Sequence, residues 1–438
     1  MDKRWAAGER QRVEVAIAGG GLTGLALAAA LGRAGARLAL VEQAPLASLV
    51  EPEHDGRVTA VARGSQRFLA SIGAWPAIAA DAEPILEILV GEAGSPLGVR
   101  YDHREVGAEP LGWIVPNRTL RLALQGAIAE LPDLEVLAPA RIAGVEPGSG
   151  ALGITLADGR TLEAELLAVC EGRLSPTREL LGIADRRFDY RELAIVCTLR
   201  HERPHRGRAV ERFFPDGPFA VLPMRGCRSS IVWALEAEKA ARMRDLDDRD
   251  FAAEVEERFG DLLGGIELEG RRHYYPLVLV EAERVVAPRV ALVGDAARGI
   301  HPIAGQGWNL ALRDVAALAE VVEERLGLGL DPGDPAALDR YAAWRSFDGL
   351  ALVSICHGIE RLFSNDLEPL KVLRNLGLGL VERLPPAKRF FMRHAMGLLG
   401  ELPRSMRDPL RAPASEPVGL FPARSVQGGF STGPRFRS

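Results

Sequence analysis

The feature that most constrains this chain is Gly19-Gly20-Gly21-Leu22-Thr23-Gly24. It joins an apolar run, Val13 to Ala18, to an alanine- and leucine-rich stretch, Thr23 to Arg33. The first reads as a buried strand and the second as a helix. Arg37 to Glu42 returns as another strand. Strand, turn, helix and strand fit within about 30 residues, the size of a βαβ unit. Gly19 permits the tight turn, Gly21 lets the backbone approach a pyrophosphate, and Gly24 lets the helix pack closely on the strand. Leu22 and Thr23 sit at the helix N-terminus, whose N–H groups and positive dipole end suit phosphates. Glu42, at the end of the second strand, can accept from ribose hydroxyls. These features together predict dinucleotide binding.

The next comparable feature lies about 270 residues downstream. An NAD dehydrogenase would continue with further βαβ units, whereas here the polar stretch Glu51 to Arg63 intervenes. The separation favours a long, extended ligand held at several points. Downstream, Val290 to Val293 predicts a short buried strand running into Gly294-Asp295. Asp295 can hydrogen-bond a polyol chain. Gly305-Gln306-Gly307 then opens a helix over Asn309 to Leu326, with N–H groups free to face a negative flavin edge.

Elsewhere the pattern predicts helices over Gln66–Ala80, Asn117–Leu131 and Glu236–Phe259, the last a solvated one. Short strands are expected from Leu134 to Ala168, with Asp158-Gly159 as a hairpin turn, and again from Phe188 to Leu235. Pro332 onward reads as helical, with Pro385-Pro386 breaking its last stretch. Met406 to Ser438 reads as a loose tail. Arg200 to Arg212 reads as a solvated sheet edge rather than a metal site. His201 and His205 would need a helix to converge, and Pro204 opposes one.

Composition narrows the class. Of 438 residues, 54 are Lys or Arg and 59 are Asp or Glu, giving a net charge of −5. A general nucleic-acid binder would be basic, so no nucleic-acid partner is expected. Cys170, Cys197, Cys227 and Cys356 are too scattered for a disulfide framework or a metal ribbon, so they read as small core residues of a reducing, cytoplasmic compartment. The polar N-terminus is not a secretory signal, and no apolar run reaches a membrane span.

Ala291 to Asp314, ALVGDAARGIHPIAGQGWNLALRD, resembles the flavin-dependent aromatic monooxygenases, specifically the ubiquinone-biosynthesis hydroxylases. Other segments match the same family. They include Asp55-Gly56-Arg57 with Thr59-Ala60-Val61-Ala62, Asn117 with Leu120 and Leu124, and Glu211-Arg212-Phe213 with Gly217-Pro218 and Leu222-Pro223. Tyr341, Arg345 and Asp348 match its first C-terminal helix, and Leu362 to Asn365 and Ala395 to Gly397 its C-terminal end. The resemblance runs from about Val13 to Gly397. Two residues depart from the family's text. Glu171 replaces an aspartate in Cys170-Glu171-Gly172, which bears on the nicotinamide contact. Arg298 replaces a histidine, placing a charge near the pocket or the phosphates.

The resemblance implies an α/β fold: an FAD-binding Rossmann-like domain of the glutathione-reductase type, interleaved with a β-sheet substrate domain and followed by a helical region. The implied limits are 12–75, 111–185 and 281–330 for the FAD domain and 76–110 and 186–280 for the substrate domain. The helical region would cover 331–405 and the tail 406–438. FAD would be held by Gly19, Gly21, Leu22, Thr23, Gly24, Glu42, Arg57, Asn117, Asp295, Gly305, Gln306, Gly307 and Asn309. Arg57 would approach the cofactor, Asp295 would hold the ribityl chain, Gly305 to Asn309 would back the isoalloxazine, and Glu211 to Phe213 would belong to the pocket floor. His301 and Pro302 would line the reaction face, and no metal is expected. The implied reaction is hydroxylation of a polyprenylated phenol by O2 through a flavin hydroperoxide, with electrons from NAD(P)H or a redox partner protein. Such a substrate lives in the bilayer, so contact would be peripheral, on the inner membrane of a bacterium; Val372 to Leu399, with its arginines, reads equally as that contact and as a helical cap packed on the core or a partner surface. Other quinone-biosynthesis proteins are implied partners. The alternatives are a flavin monooxygenase of another aromatic compound and a non-catalytic flavin-binding scaffold. A flavin halogenase fits poorly, since no lysine lies between Lys3 and Lys239.

Overall fold

The computed structural model describes residues 11–51, 55–300, 305–346, 377 and 379–407. The chain opens with β1 (Gln11–Ala18), α1 (Leu22–Arg33) and β2 (Leu38–Val41). Next come β3 (Val58–Ala62), α2 (Arg63–Ser71), α3 (Trp75–Ile78), β4 (Glu83–Ile85), β5 (Glu87–Glu92), β6 (Gly98–Asp102) and β7 (Gly112–Pro116). The helix α4 (Asn117–Ala129) leads to β8 (Leu134–Leu137), β9 (Ile142–Pro147), β10 (Leu152–Leu156), β11 (Thr161–Val169) and α5 (Pro176–Leu180). A long meander follows: β12 (Asp185–His201), β13 (Arg208–Phe214), β14 (Gly217–Met224) and β15 (Arg228–Glu236). It is closed by α6 (Ala237–Asp245), α7 (Asp248–Phe259) and β16 (Ile266–Ala282). Then β17 (Val286–Ala287), β18 (Val290–Leu292) and β19 (Arg298–Gly299) precede α8 (Gly307–Gly327). Residues 335–346 are helical, as is Pro385–Ala395.

Among the described residues these strands form three sheets. In the first, β18, β11, β1, β2 and β8 run parallel in that order. Alternate residues on β1 face opposite cores. Val15 and Ile17 meet α1, α4 and α8, while Ala16 and Ala18 meet the β9–β10 layer. A strand buried on both faces has to be apolar throughout, which is why Val13 to Ala18 reads without alternation. The second sheet has the order β19-β16-β12-β15-β14-β13-β5-β6, and the third, β3-β7-β4, packs near β14.

Several expectations need correction. The helix expected over Gln66–Ala80 is two, α2 and α3, parted at Gly73, whose φ of 78° suits glycine. Glu236–Phe259 is also two helices, because the Asp247 side chain caps α7 by accepting from Asp250 N. Nor is it wholly solvated: Phe251, Val255 and Phe259 are buried beside Trp233 of the sheet. Pro385-Pro386 does break the helical stretch: residues 379–383 are helical, Leu384 is extended, and the prolines open a new helix, Pro385–Ala395, where a first-turn proline loses no helical hydrogen bond. His201 ends β12 inside the second sheet, not at its edge. It is buried, with Nδ1 2.7 Å from Arg203 O and Nε2 3.1 Å from Ser229 Oγ. Among the described residues no cluster could hold a metal. Cys170 and Cys197 are buried, Cys227 is exposed, and Cys356 lies outside the described residues. Met406, placed in the tail by its sequence, is fully buried.

Candidate flavin site and active centre

Three parallel strands end side by side. Ala18 pairs with Val169, and Val169 pairs with Leu292. The turns that follow, Gly19–Gly24, Cys170–Gly172 and Gly294–Ala296, therefore meet at the carboxyl ends of the sheet, where open α/β sheets bind ligands. Each glycine in the first turn has a measurable reason. Gly19 has φ of 102°, and a Cβ there would lie 2.9 Å from the Cys170 carbonyl. A Cβ on Gly24 would lie 1.8 Å from Gly19 O, so only glycine lets α1 approach β1. A Cβ on Gly21 would meet nothing within 4 Å. The space before Gly21 is open, as a cradle for phosphate requires.

Leu22 and Thr23 form the first turn of α1. Thr23 also touches the distant segment: a Cβ on Gly294 would lie 3.1 Å from Thr23 Cγ2. Glu42, mostly buried, accepts from Gly20 N at 2.6 Å and Ala44 N at 3.0 Å, which fixes its carboxylate beside the turn.

Asp295 lies in the turn after β18, partly exposed, 3.3 Å from Arg173 Nε. Gly294 N donates to the Asp314 carboxylate at 3.1 Å, and Asp314 also pairs with Arg345 at 2.6 Å. Both members of that pair are 1% exposed. Tyr341 Oη donates to Leu292 O at 2.9 Å. Asp348, expected with these residues, lies outside the described residues, as do His301 and Pro302.

Gly305 has φ of 62° and packs on Ala60, where a Cβ would come within 3.1 Å. Gln306 Nε2 lies 3.4 Å from Ala395 O, and Gly307 begins α8. Asn309 donates to Ala60 O at 2.7 Å and Gly305 O at 3.2 Å, and accepts from Ala62 N at 2.9 Å. Its amide thereby fastens α8 to β3.

Arg57 and Asn117 meet at Asp55. Arg57 makes two side-chain bonds to that carboxylate, 2.8 and 2.9 Å, Asn117 Nδ2 lies at 3.0 Å and Arg121 Nη2 at 2.7 Å. Tyr275 Oη donates at 3.4 Å, and its ring lies 4.7 Å beneath the Arg57 guanidinium. Burial by itself would raise the Asp55 carboxyl. The bonds from Arg57, Asn117 and Arg121 outweigh it and hold the group well below the usual carboxylate range. The reading of the sequence quoted Asp55 only as part of a matching segment and did not single out Arg121, whose guanidinium meets it. Arg121 lies four residues after Asn117, on the same helix face, and that spacing was the available signal.

The two departures are resolved differently. Glu171 accepts from Ser175 Oγ (2.7 Å), Thr177 N (2.9 Å) and Thr177 Oγ1 (2.8 Å), so its carboxylate caps α5. Arg298 is buried on β19 and donates to Arg345 O at 3.4 Å, behind the Asp295 turn.

This arrangement is that of a dinucleotide cradle, and the comparisons make the protein an FAD-dependent monooxygenase. A family model described as an FAD binding domain matches residues 12–353. The chain is 46% identical to the ubiquinone hydroxylase UbiL of Rhodospirillum rubrum, over 90% of this chain and 92% of that one. It is 32% identical to the 3-demethoxyubiquinol 3-hydroxylase of Escherichia coli, over 89% and 99%. Among solved structures, PqsL of P. aeruginosa in complex with 2-aminobenzoylacetate superposes with a TM-score of 0.71 at 25% identity, covering 81% of this chain and 97% of that one. The chain belongs to the FAD-dependent hydroxylase family of ubiquinone biosynthesis.

Proposed function

We propose that this enzyme hydroxylates the aromatic ring of a polyprenylated phenol during ubiquinone synthesis. The observation that carries the reading is the pairing of a dinucleotide cradle with an apolar sheet face opposite it. When bound, reduced FAD would supply the two electrons that activate O2, one atom of which goes to the ring and the other to water. The residues present fit it. The open space at Gly21 and the N-terminus of α1 would take the pyrophosphate, Glu42 the ribose, and Asp295 the ribityl chain. Gly305, Gln306, Gly307 and Asn309 would support the ring system, with Arg57 and Asn117 held against it through Asp55. Electrons would come from NAD(P)H or a redox partner protein.

The opposite wall is built from the second sheet. Ala194, Val196, Ala234 and Leu277 are buried together with Tyr275 on one of its faces. Ala209 and Leu222 share a cluster with Val58 and Ala60 of β3. These side chains would exclude water and hold the ring in place. No Ser-His-Asp arrangement is required, because a phenol brings its own activation.

No helix among the described residues is long and apolar enough to cross a membrane. A bilayer-dissolved substrate would then be reached from the surface. Leu380, Leu384, Phe390 and Phe391 are exposed on and before the helix Pro385–Ala395, which also carries Arg389 and Arg393. That combination suits an anionic membrane surface.

The test is mass spectrometry of lipid extracts from a deletion strain and its complemented parent. Accumulation of a prenylphenol lacking one hydroxyl supports the reading and names the ring position. Loss of quinone without such an intermediate would point to a scaffold role. An unchanged quinone pool would point to another aromatic substrate.

A further inference from the structure

Helix α4 lines one side of the flavin site lengthwise. Asn117, Arg121 and Gln125 recur every four residues, so they share a face about 12 Å long. The helix packs along α1, whose N-cap, Gly21, borders the open space for phosphate.

Each end of this face is anchored. At one end Asn117 Nδ2 donates to Asp55, beside Arg57. At the other end Gln125 Nε2 donates to Leu46 O at 2.9 Å. Leu46 lies against Gly20 and Glu42, since a Cβ on Gly20 would be 3.0 Å from Leu46 Cδ2 and 2.9 Å from Glu42 Cβ. The face therefore runs from the loop assigned to the flavin end of FAD to the carboxylate assigned to its adenosine ribose. Arg121 stands midway.

There its hydrogen bonding is incomplete. The Arg121 side chain is only 9% exposed. Its Nη2 donates to Asp55 Oδ2 at 2.7 Å, but the buried Nη1 meets no acceptor among the described residues. A buried, charged N–H without an acceptor is costly. The charge is incomplete as well. Among the described residues Asp55 is the only carboxylate bonded to Arg57 or Arg121, so two cations share one anion. Asp295, whose field reaches Arg57, is already paired with Arg173. The Glu42 carboxylate accepts from two backbone N–H groups. An excess positive charge with a free N–H calls for an anionic acceptor. In oxidised FAD the negative charge is on the diphosphate, the part that joins the adenosine ribose to the ribityl chain.

We infer that Arg121 donates its free Nη1 to the diphosphate of FAD. Asp55 holds Nη2, so the planar guanidinium is oriented before the cofactor arrives. The N-terminus of α1 offers backbone dipoles to the same group, and Arg121 adds a full charge from the side of α4. Asp55 thus serves both ends of the cofactor, through Arg57 at the flavin and through Arg121 at the phosphates.

The test strips the full-length enzyme of flavin and titrates it with FAD and, separately, with riboflavin, which lacks the diphosphate, following flavin fluorescence. Arg121→Gln keeps an N–H for Asp55 and removes the charge. It should weaken FAD at least about tenfold, the range expected of a hydrogen bond to a charged group, and leave riboflavin within about twofold. FAD binding should also fall less steeply with added salt in this variant than in the parent, because one attracting charge is gone. Arg121→Lys restores the charge on a single donor. It should regain the salt dependence and part of the affinity, and its selective loss of FAD serves if the glutamine variant does not fold. If the variants bind FAD as the parent does, or lose FAD and riboflavin equally, Arg121 does not meet the diphosphate. Should riboflavin bind none of the proteins, equal salt dependence in Arg121→Gln and the parent would overturn the assignment. A parent that takes up no FAD would overturn the cofactor site itself.

Discussion

The Asp314 carboxylate lies 2.6 Å from Arg345 Nε, and both side chains are sealed from water. The same carboxylate receives Gly294 N, so this pair anchors the turn that presents Asp295. Breaking a buried pair leaves its partner charged without compensation, at a cost of about 3–5 kcal/mol. Arg345→Ala should therefore lower the thermal midpoint by several degrees and reduce FAD retained through purification. An unchanged midpoint would show that the pair contributes little.

Gly24 and Gly21 should separate folding from cofactor binding. Gly24→Ala drives a methyl into Gly19 O, 1.8 Å away, and should destabilise the first βαβ unit even without FAD. Gly21→Ala meets nothing within 4 Å and keeps a φ of −73° that alanine adopts. It should leave the apoprotein stable and weaken FAD at least tenfold. Apoprotein melting curves beside FAD titrations check both, and equal behaviour of the two variants would contradict the assignment.

Asp55 predicts a contribution to acid sensitivity. Its carboxyl is depressed in the folded protein, so its stabilisation is present above the unfolded value of 3.8 and is lost as pH falls through the folded value. Asp55→Asn should cost on the order of 2–4 kcal/mol near neutrality, because Arg121 stays buried without its counter-charge. Denaturant titrations from pH 7 to 3 should show a shallower acid decline in the variant than in the parent.

Glu211 has the opposite sign. Its folded value of about 7 lies above the ordinary 4.5, so its favourable contribution is full below pH 4.5 and disappears as pH rises through 7. At pH 8 the enforced charge should cost on the order of 1–3 kcal/mol. Glu211→Gln should be more stable than the parent at pH 8 and nearly equal to it at pH 4. A parent that is the more stable at pH 8 would place the carboxylate in a well-solvated setting.

What the sequence determined by itself was local. The glycine turn, the apolar β1 and the acidic end of β2 are written within about 30 consecutive residues, so short-range rules expose them. The Gly294-Asp295 turn and the Gly305–Asn309 helix start are equally local, and the family's text linked them to FAD. Only the tertiary structure decided what lies opposite what. Asp55 gathers Arg57, Asn117, Arg121 and Tyr275 from positions up to 220 residues apart. Glu211 shares a face with Ala209 and a row with His273 through strand register alone. Likewise the 236–259 stretch looked solvated because its charges outnumber its few apolar residues, yet those few are what pack beneath the sheet. Hydrogen bonds and burial between distant segments depend on how strands pair and which face each presents, and no window of sequence contains that information.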